Sequence, residues 1–321
     1  MVRKTVLFLL IATLAQLSQG QTARVLTASA ASTSASTSAS TSDQLPTFRM
    51  RTEEVNLIFT ATKHGKYLRD LHSTDLTVLD DGKPPEALRN FQSETNLPLR
   101  VALVLDASAS ITSHFSFEQQ AALQFFQQML RPKTDKAIVV TFKSTPHLAQ
   151  GFSDDSKKLS DAVDDVSAGG GSAVYDAVNL ATQKLMESGD ETPVRRVIIL
   201  ITDGEDNQSR ITRRELVDAA NHAEVTVYAI SSNFSNIQTR GDNILRQLAD
   251  ETGGRVFFPG KIENVSHEFK QIEQELRAQY VLSYKPADFI ADGRYRRIQI
   301  TDSKDKNIVV RVRRGYYVPA D

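Results

Sequence analysis

Two kinds of apolar pattern alternate along the middle of the chain. LRVALVLD (99–106), KAIVVTF (136–142), RRVIIL (195–200) and VTVYAIS (225–231) are short and nearly continuously apolar. Between and after them, FEQQAALQFFQQML, SKKLSDAVDDV, SAVYDAVNLATQKLM, TRRELVDAANHAE, ILRQLADETGG and VSHEFKQIEQELRAQY repeat their apolar positions every three to four residues. The first pattern is that of strands buried on both sides, the second that of amphipathic helices. Together they predict an α/β fold: a mostly parallel, doubly wound sheet with helices on both faces. This region is placed at residues 98–280.

On either side the period changes to two. VNLIFTATKHGKYL and DLTVLDDGKPPEALRNFQSE, with turns at His64-Gly65 and Asp81-Gly82, predict a small N-terminal β unit over residues 47–97. YVLSYKP, RRIQITD and NIVVRVRRGYYV predict a C-terminal β segment over residues 281–321. A few strands alone are marginal. The two β segments are therefore expected to pair into one sandwich-like unit, with the α/β domain inserted between them. Arg294, Arg296, Arg311 and Arg313 alternate along these strands and are assigned to their solvent face.

The start of the chain has another character. Arg3 and Lys4 precede an apolar run from Val6 to Leu14, with Ser18 and Gly20 beyond it. This layout predicts a signal peptide over residues 1–20, and the apolar run is too short to span a membrane. Residues 21–46, including STSASTSAST, can build no core and are read as a disordered Ala/Ser/Thr linker. Export to the periplasm or outside the cell is expected, with no transmembrane segment in the mature chain. The 321 residues contain no cysteine, so the fold is held by its core and not by disulfides. A formal charge of −1 offers no basic excess for nucleic acid.

Candidate chemistry gathers where the buried strands end. VALVLDASAS (101–110) closes an apolar strand on Asp106 and then presents Ser108 and Ser110. A buried carboxylate is costly unless it is paired, so either turn N–H groups or a cation must satisfy Asp106. Two more loops carry oxygen donors: Gly169-Gly170-Gly171-Ser172 before a helix, and Thr202-Asp203-Gly204-Glu205-Asp206-Asn207 after RRVIIL. Ligands in open α/β sheets bind beyond the carboxyl ends of strands. Carboxylates and hydroxyls without sulfur or imidazole suit a hard cation, and a set this sparse suits Mg2+ better than Ca2+.

D-x-S-x-S at Asp106, Ser108 and Ser110, a hydroxyl at Ser172 after a glycine run, and T-D-G at 202–204 resemble the metal-ion-dependent adhesion site of von Willebrand factor A domains. The contexts GGGSAVYDA and LITDGEDN, the preceding DLTVLDDGKP and the terminal VRVRRGYYV resemble secreted bacterial members, including von Willebrand factor A-related proteins of Acidobacteria. The resemblance implies a Rossmann-like domain and a metal held by Asp106, Ser108, Ser110, Ser172 and Asp203. Mg2+ is the expected cation, with Mn2+ or Ca2+ as alternatives. The family's third ligand is normally threonine; Ser172 keeps the hydroxyl and loses the methyl. One coordination position is expected to receive an Asp or Glu carboxylate from a protein partner, with Glu205 and Asp206 on the partner-binding rim.

Other signals are read as structural. Asp176 is assigned to helix and loop hydrogen bonds. Arg240-Gly241-Asp242, which spells a cell-binding tripeptide, is assigned to a helix start. Ser303 and Lys306 fit SxxK but sit in a turn, without companion motifs. The chain is accordingly expected to be a binding module and not an enzyme. An envelope assembly scaffold with little metal use is one alternative. A metal-dependent hydrolase is the other, and it lacks a general base.

Overall fold

The structure, a computed structural model, describes residues 54–318 apart from 95–96, 113–114, 191–193 and 236. The expected signal peptide, the linker and residues 47–53 lie outside the described residues.

Among the described residues, eight flanking strands fall before and after the α/β region: β1 (Val55–Lys63), β2 (Lys66–Tyr67), β3 (Leu76–Asp80) and β4 (Ala87–Glu94), then β11 (Gln279–Lys285), β12 (Tyr295–Asp302), β13 (Ile308–Val312) and β14 (Gly315–Tyr317). Between them lie β5 (Leu99–Asp106), β6 (Lys136–Phe142), β7 (Pro146–Ser153), β8 (Arg195–Thr202), β9 (Val225–Ser231) and β10 (Val256–Phe257). Among the described residues, six α-helices accompany these: α1 (Phe115–Met129), α2 (Ser156–Asp164), α3 (Val174–Met186), α4 (Arg213–His222), α5 (Arg240–Thr252) and α6 (Val265–Leu276).

The central sheet runs β10-β9-β8-β5-β6-β7. All its pairs are parallel except β6 with β7. Every residue of β5 is buried, because successive side chains enter opposite cores. Leu99, Val101, Leu103 and Leu105 pack with Phe125 and Phe126 of α1, Leu159 of α2 and Phe269 and Ile272 of α6. Ala102 and Val104 pack on the other face with Val174 and Val178 of α3, Leu216 of α4 and Leu245 of α5. The sheet is thus doubly wound, as its apolar runs predict.

β7 was not foreseen. PHLAQGFS has neither an apolar run nor a clean alternation, and the strand is half-buried along most of its length. It lies at the sheet edge, where Pro146 at its first position costs no ladder bond.

The flanking strands form two further sheets, β13-β1-β11-β4, with β2 added to β1, and β14-β12-β3. β1 pairs with both β11 and β13, and β3 pairs with β12, so chain from both sides of the α/β region interleaves. The two sheets enclose a third core containing Leu57, Phe59, Val78, Leu282, Tyr284, Ile298, Ile300 and Tyr316.

The assignment of four arginines to solvent is corrected here. Arg296 is 1% exposed. Its Nε donates to Asp80 Oδ1 at 2.7 Å. It shares strand parity with Ile298 and Ile300, so the alternation that buries them buries it too. Arg313 donates to the carbonyls of Asn56 and Asn221, and Arg311 to that of Gly254. Of the four, only Arg294 is exposed.

Candidate metal centre

The carboxyl ends of β5 and β8 bring the first and third loops together. Their register pairs Leu105 with Ile201, so the next residues, Asp106 and Thr202, end side by side. Thr202 Oγ1 donates to Asp106 Oδ2 at 2.6 Å, and Ser108 N donates to Asp106 Oδ1 at 2.8 Å. Ser172 Oγ donates to Asp106 Oδ2 at 3.4 Å. Ser108 Oγ and Ser110 Oγ lie 3.1 Å apart. Asp106, Ser108 and Ser172 are buried, while Ser110 is exposed, so the oxygens lead from the interior to the surface.

The loops are tied to one another through their backbones. Gly169 N donates to Ala107 O at 2.7 Å and Ala109 N to Gly170 O at 3.1 Å, which joins the first loop to the second. Gly169 and Gly170 take φ of 145° and 88°, values that favour glycine. Asn207 N and Gln208 N both donate to Ser172 O, at 2.9 and 3.0 Å, which joins the second loop to the third.

Asp203 begins the third loop. Its Oδ1 accepts from Glu205 N at 3.0 Å, and its charge acts on Asp106. The two expected rim carboxylates are both engaged within the domain. Glu205 Oε1 accepts from Gly241 N at 3.1 Å. Asp206 Oδ1 accepts from Ser209 Oγ at 2.5 Å and from Tyr175 N at 3.4 Å. Asp176 accepts from Arg210 N and Ile211 N, a loop-holding role.

Arg240-Gly241-Asp242 opens α5, with Arg240 exposed and Gly241 and Asp242 buried. A Cβ on Gly241 would stand 2.1 Å from Asp203 O, so the helix start touches the third loop backbone to backbone. Asp242 is 2% exposed and accepts from Ser231, Asn233 and Thr239.

Burial pushes the Asp106 carboxyl above its ordinary range, and the neighbouring Asp203 charge adds to this. The bonds from Ser108 and Thr202 act in the other direction. Among the described residues no lysine or arginine pairs with Asp106; its hydrogen-bond donors are all neutral. A buried anion satisfied only by dipoles, with two more hydroxyls beside it, fits a hard divalent cation. Among the described residues no three His, Cys, Asp or Glu gather, so the donor set is rich in hydroxyls and poor in charge.

Sequence reasoning placed Thr202 and Asn207 in the third oxygen-bearing loop but not in the ligand set. Thr202 is wholly buried, and its hydroxyl also accepts from Gly204 N. The available signal was a polar residue closing an apolar strand, but its partner emerges only with the register.

A von Willebrand factor type A domain family model matches residues 101–273, more than half of the chain, and the chain belongs to that family. Domains of this family are protein-interaction modules in which a metal-ion-dependent adhesion site recurs. No curated protein matches the chain. Among solved structures it is similar to BatB from Bacteroides thetaiotaomicron, at 20% identity over 56% of this chain and 97% of that one, with a TM-score of 0.46. It is also similar to the vWF domain of the type V pili tip protein Mfa5 from Porphyromonas gingivalis, at 14% identity over 56% and 94% of the two chains, TM-score 0.44. A third similar structure is proximal thread matrix protein 1 from the mussel byssus with a zinc-occupied MIDAS motif, at 17% identity over 62% and 50%, TM-score 0.49. No helix among the described residues is long and apolar enough to cross a membrane.

Proposed function

We propose that the chain is an exported protein-binding module of the adhesion type. Asp106, Ser108, Ser110, Ser172 and Asp203 hold a divalent cation, Mg2+ by preference and Mn2+ or Ca2+ as substitutes. A protein partner docks by offering an Asp or Glu carboxylate to that cation, with Glu205 and Asp206 at the rim. When bound, the cation supplies the positive charge that Asp106 lacks. A first shell with few carboxylates leaves it electrophilic enough to attract one more. The carrying observation is Asp106 itself: wholly buried, ending a fully buried strand, and met only by neutral donors. The basic and apolar start of the chain supports export.

Calorimetric titration of Mg2+ and Mn2+ into the chain and into Asp106→Ala tests this reading. The expected result is saturable binding that the substitution abolishes. Retention of a carboxylate-bearing partner peptide should then require the cation. Heat that does not saturate in the unsubstituted chain would refute the metal reading and bring the scaffold forward.

A further inference from the structure

We propose that Asn207 is a positioning residue for the cation site. It fixes the backbone that carries Ser172, so that the Ser172 hydroxyl stands beside Asp106 before any cation arrives. The inference rests on the function proposed above and adds a residue outside the ligand set.

Ser172 follows three consecutive glycines, and such a segment has little conformational preference of its own. A hydroxyl carried on it needs an outside restraint to hold one position. Asn207 supplies that restraint on both sides of Ser172. Its Oδ1 accepts from Ser172 N at 3.0 Å, and its own N–H donates to Ser172 O at 2.9 Å. The side-chain amide oxygen therefore stands where a neighbouring strand would place a carbonyl, and a single residue closes a short ladder across the loop. Gln208 N adds a second donor to Ser172 O.

The fit is close. A Cβ at Gly171 would lie 2.7 Å from Gln208 Cγ and 3.0 Å from Asn207 Oδ1. Asn207 is itself anchored, because Asp206 on one side holds Ser209 and Tyr175 N. The restraint thus runs from the start of α3 through the third loop to Ser172, and ends at Asp106. Groups that orient metal ligands in this way act on affinity without touching the metal.

The test uses the full chain as wild type, Asn207→Ala and Asn207→Asp. Amide hydrogen exchange at Ser172 is read in chelator-treated protein, and Mn2+ affinity by calorimetry. Asn207→Ala should expose the Ser172 amide to faster exchange and weaken Mn2+ by about 10- to 100-fold. Asn207→Asp keeps an acceptor at the same reach and should restore both, while all three unfold at similar temperatures. If the alanine variant is unstable, Asn207→Ser, too short to reach Ser172 N, replaces it. Unchanged exchange or unchanged Mn2+ affinity in the acceptor-less variant overturns the inference alone. A wild-type chain that takes up no Mn2+ overturns the inference together with the function it rests on.

Discussion

Among the described residues, two buried aspartates close strands, and they are neutralised differently. Asp80 ends β3 and is 1% exposed; Asp106 ends β5 and is 0% exposed. Asp80 receives Arg296 Nε at 2.7 Å, with the hydroxyls of Tyr284 at 3.0 Å and Tyr316 at 2.8 Å. Asp106 receives one backbone N–H and two hydroxyls. The sandwich therefore balances its buried charge with its own arginine. The α/β domain meets the corresponding charge with neutral donors alone. A buried carboxylate that the chain itself neutralises reads as structure, and one it does not neutralise reads as a site.

The largest expected effect comes from breaking the self-neutralised pair. Arg296→Met should leave Asp80 buried without a cation and cost about 3–5 kcal/mol, measured by urea unfolding. The double variant Asp80→Asn/Arg296→Met should recover much of that loss. A single-variant loss below about 1 kcal/mol would mean that the two aspartates do not differ as argued.

The matching change at the other aspartate should behave in the opposite way. In chelator-treated protein, Asp106→Asn removes a buried charge that has no counter-ion, so stability should hold or rise. With cation added to about 100 times its dissociation constant, wild type should gain about 2.7 kcal/mol and Asp106→Asn nothing. Thermal unfolding with and without Mg2+ measures both arms. A variant that loses stability in chelator would show Asp106 to be a turn residue, satisfied as it stands.

The α/β layering was legible because it depends on runs of residues, and a run survives the loss of any single position. β7 was not, because a half-buried edge strand carries neither period. Arg296 was misread because its charge was weighed before its parity, although Ile298 and Ile300 on the same face already placed it inside. At the candidate site, Asp106, Ser108 and Ser110 are contiguous with a strand end, so their proximity was readable as text. Ser172 meets Asp106 only after a loop closes across 66 positions, and Thr202 only through the β5–β8 register. Asn207 acts through a backbone contact that no spacing encodes.

The smallest expected effect separates the two ends of β5 itself. The strand ends on Asp106 but begins against another buried carboxylate, since Leu99 N donates to Asp135 Oδ1 at 2.9 Å. Asp135 resembles Asp80, because Arg131 and Arg277 both pair with it, at 3.0 and 2.9 Å. Burial alone would raise its pKa, but the bonds from Arg131, Leu99 N and Arg277 outweigh this and hold it below the ordinary carboxylate value. A folded pKa below the unfolded one means that the ionised form stabilises the fold. That stabilisation is complete above the unfolded value, about 3.9, and disappears as pH falls through the depressed folded value. Asp135→Asn should therefore cost about 1.5–3 kcal/mol at pH 7. The gap to wild type should narrow below about pH 4. Asp106 sits at the opposite end of the same strand with its pKa pushed upward, so the sign reverses and metal-free wild type should gain on Asp106→Asn as pH falls through the raised value. Urea unfolding of both variants from pH 7 down to the acid limit would show the difference, and parallel curves would remove it.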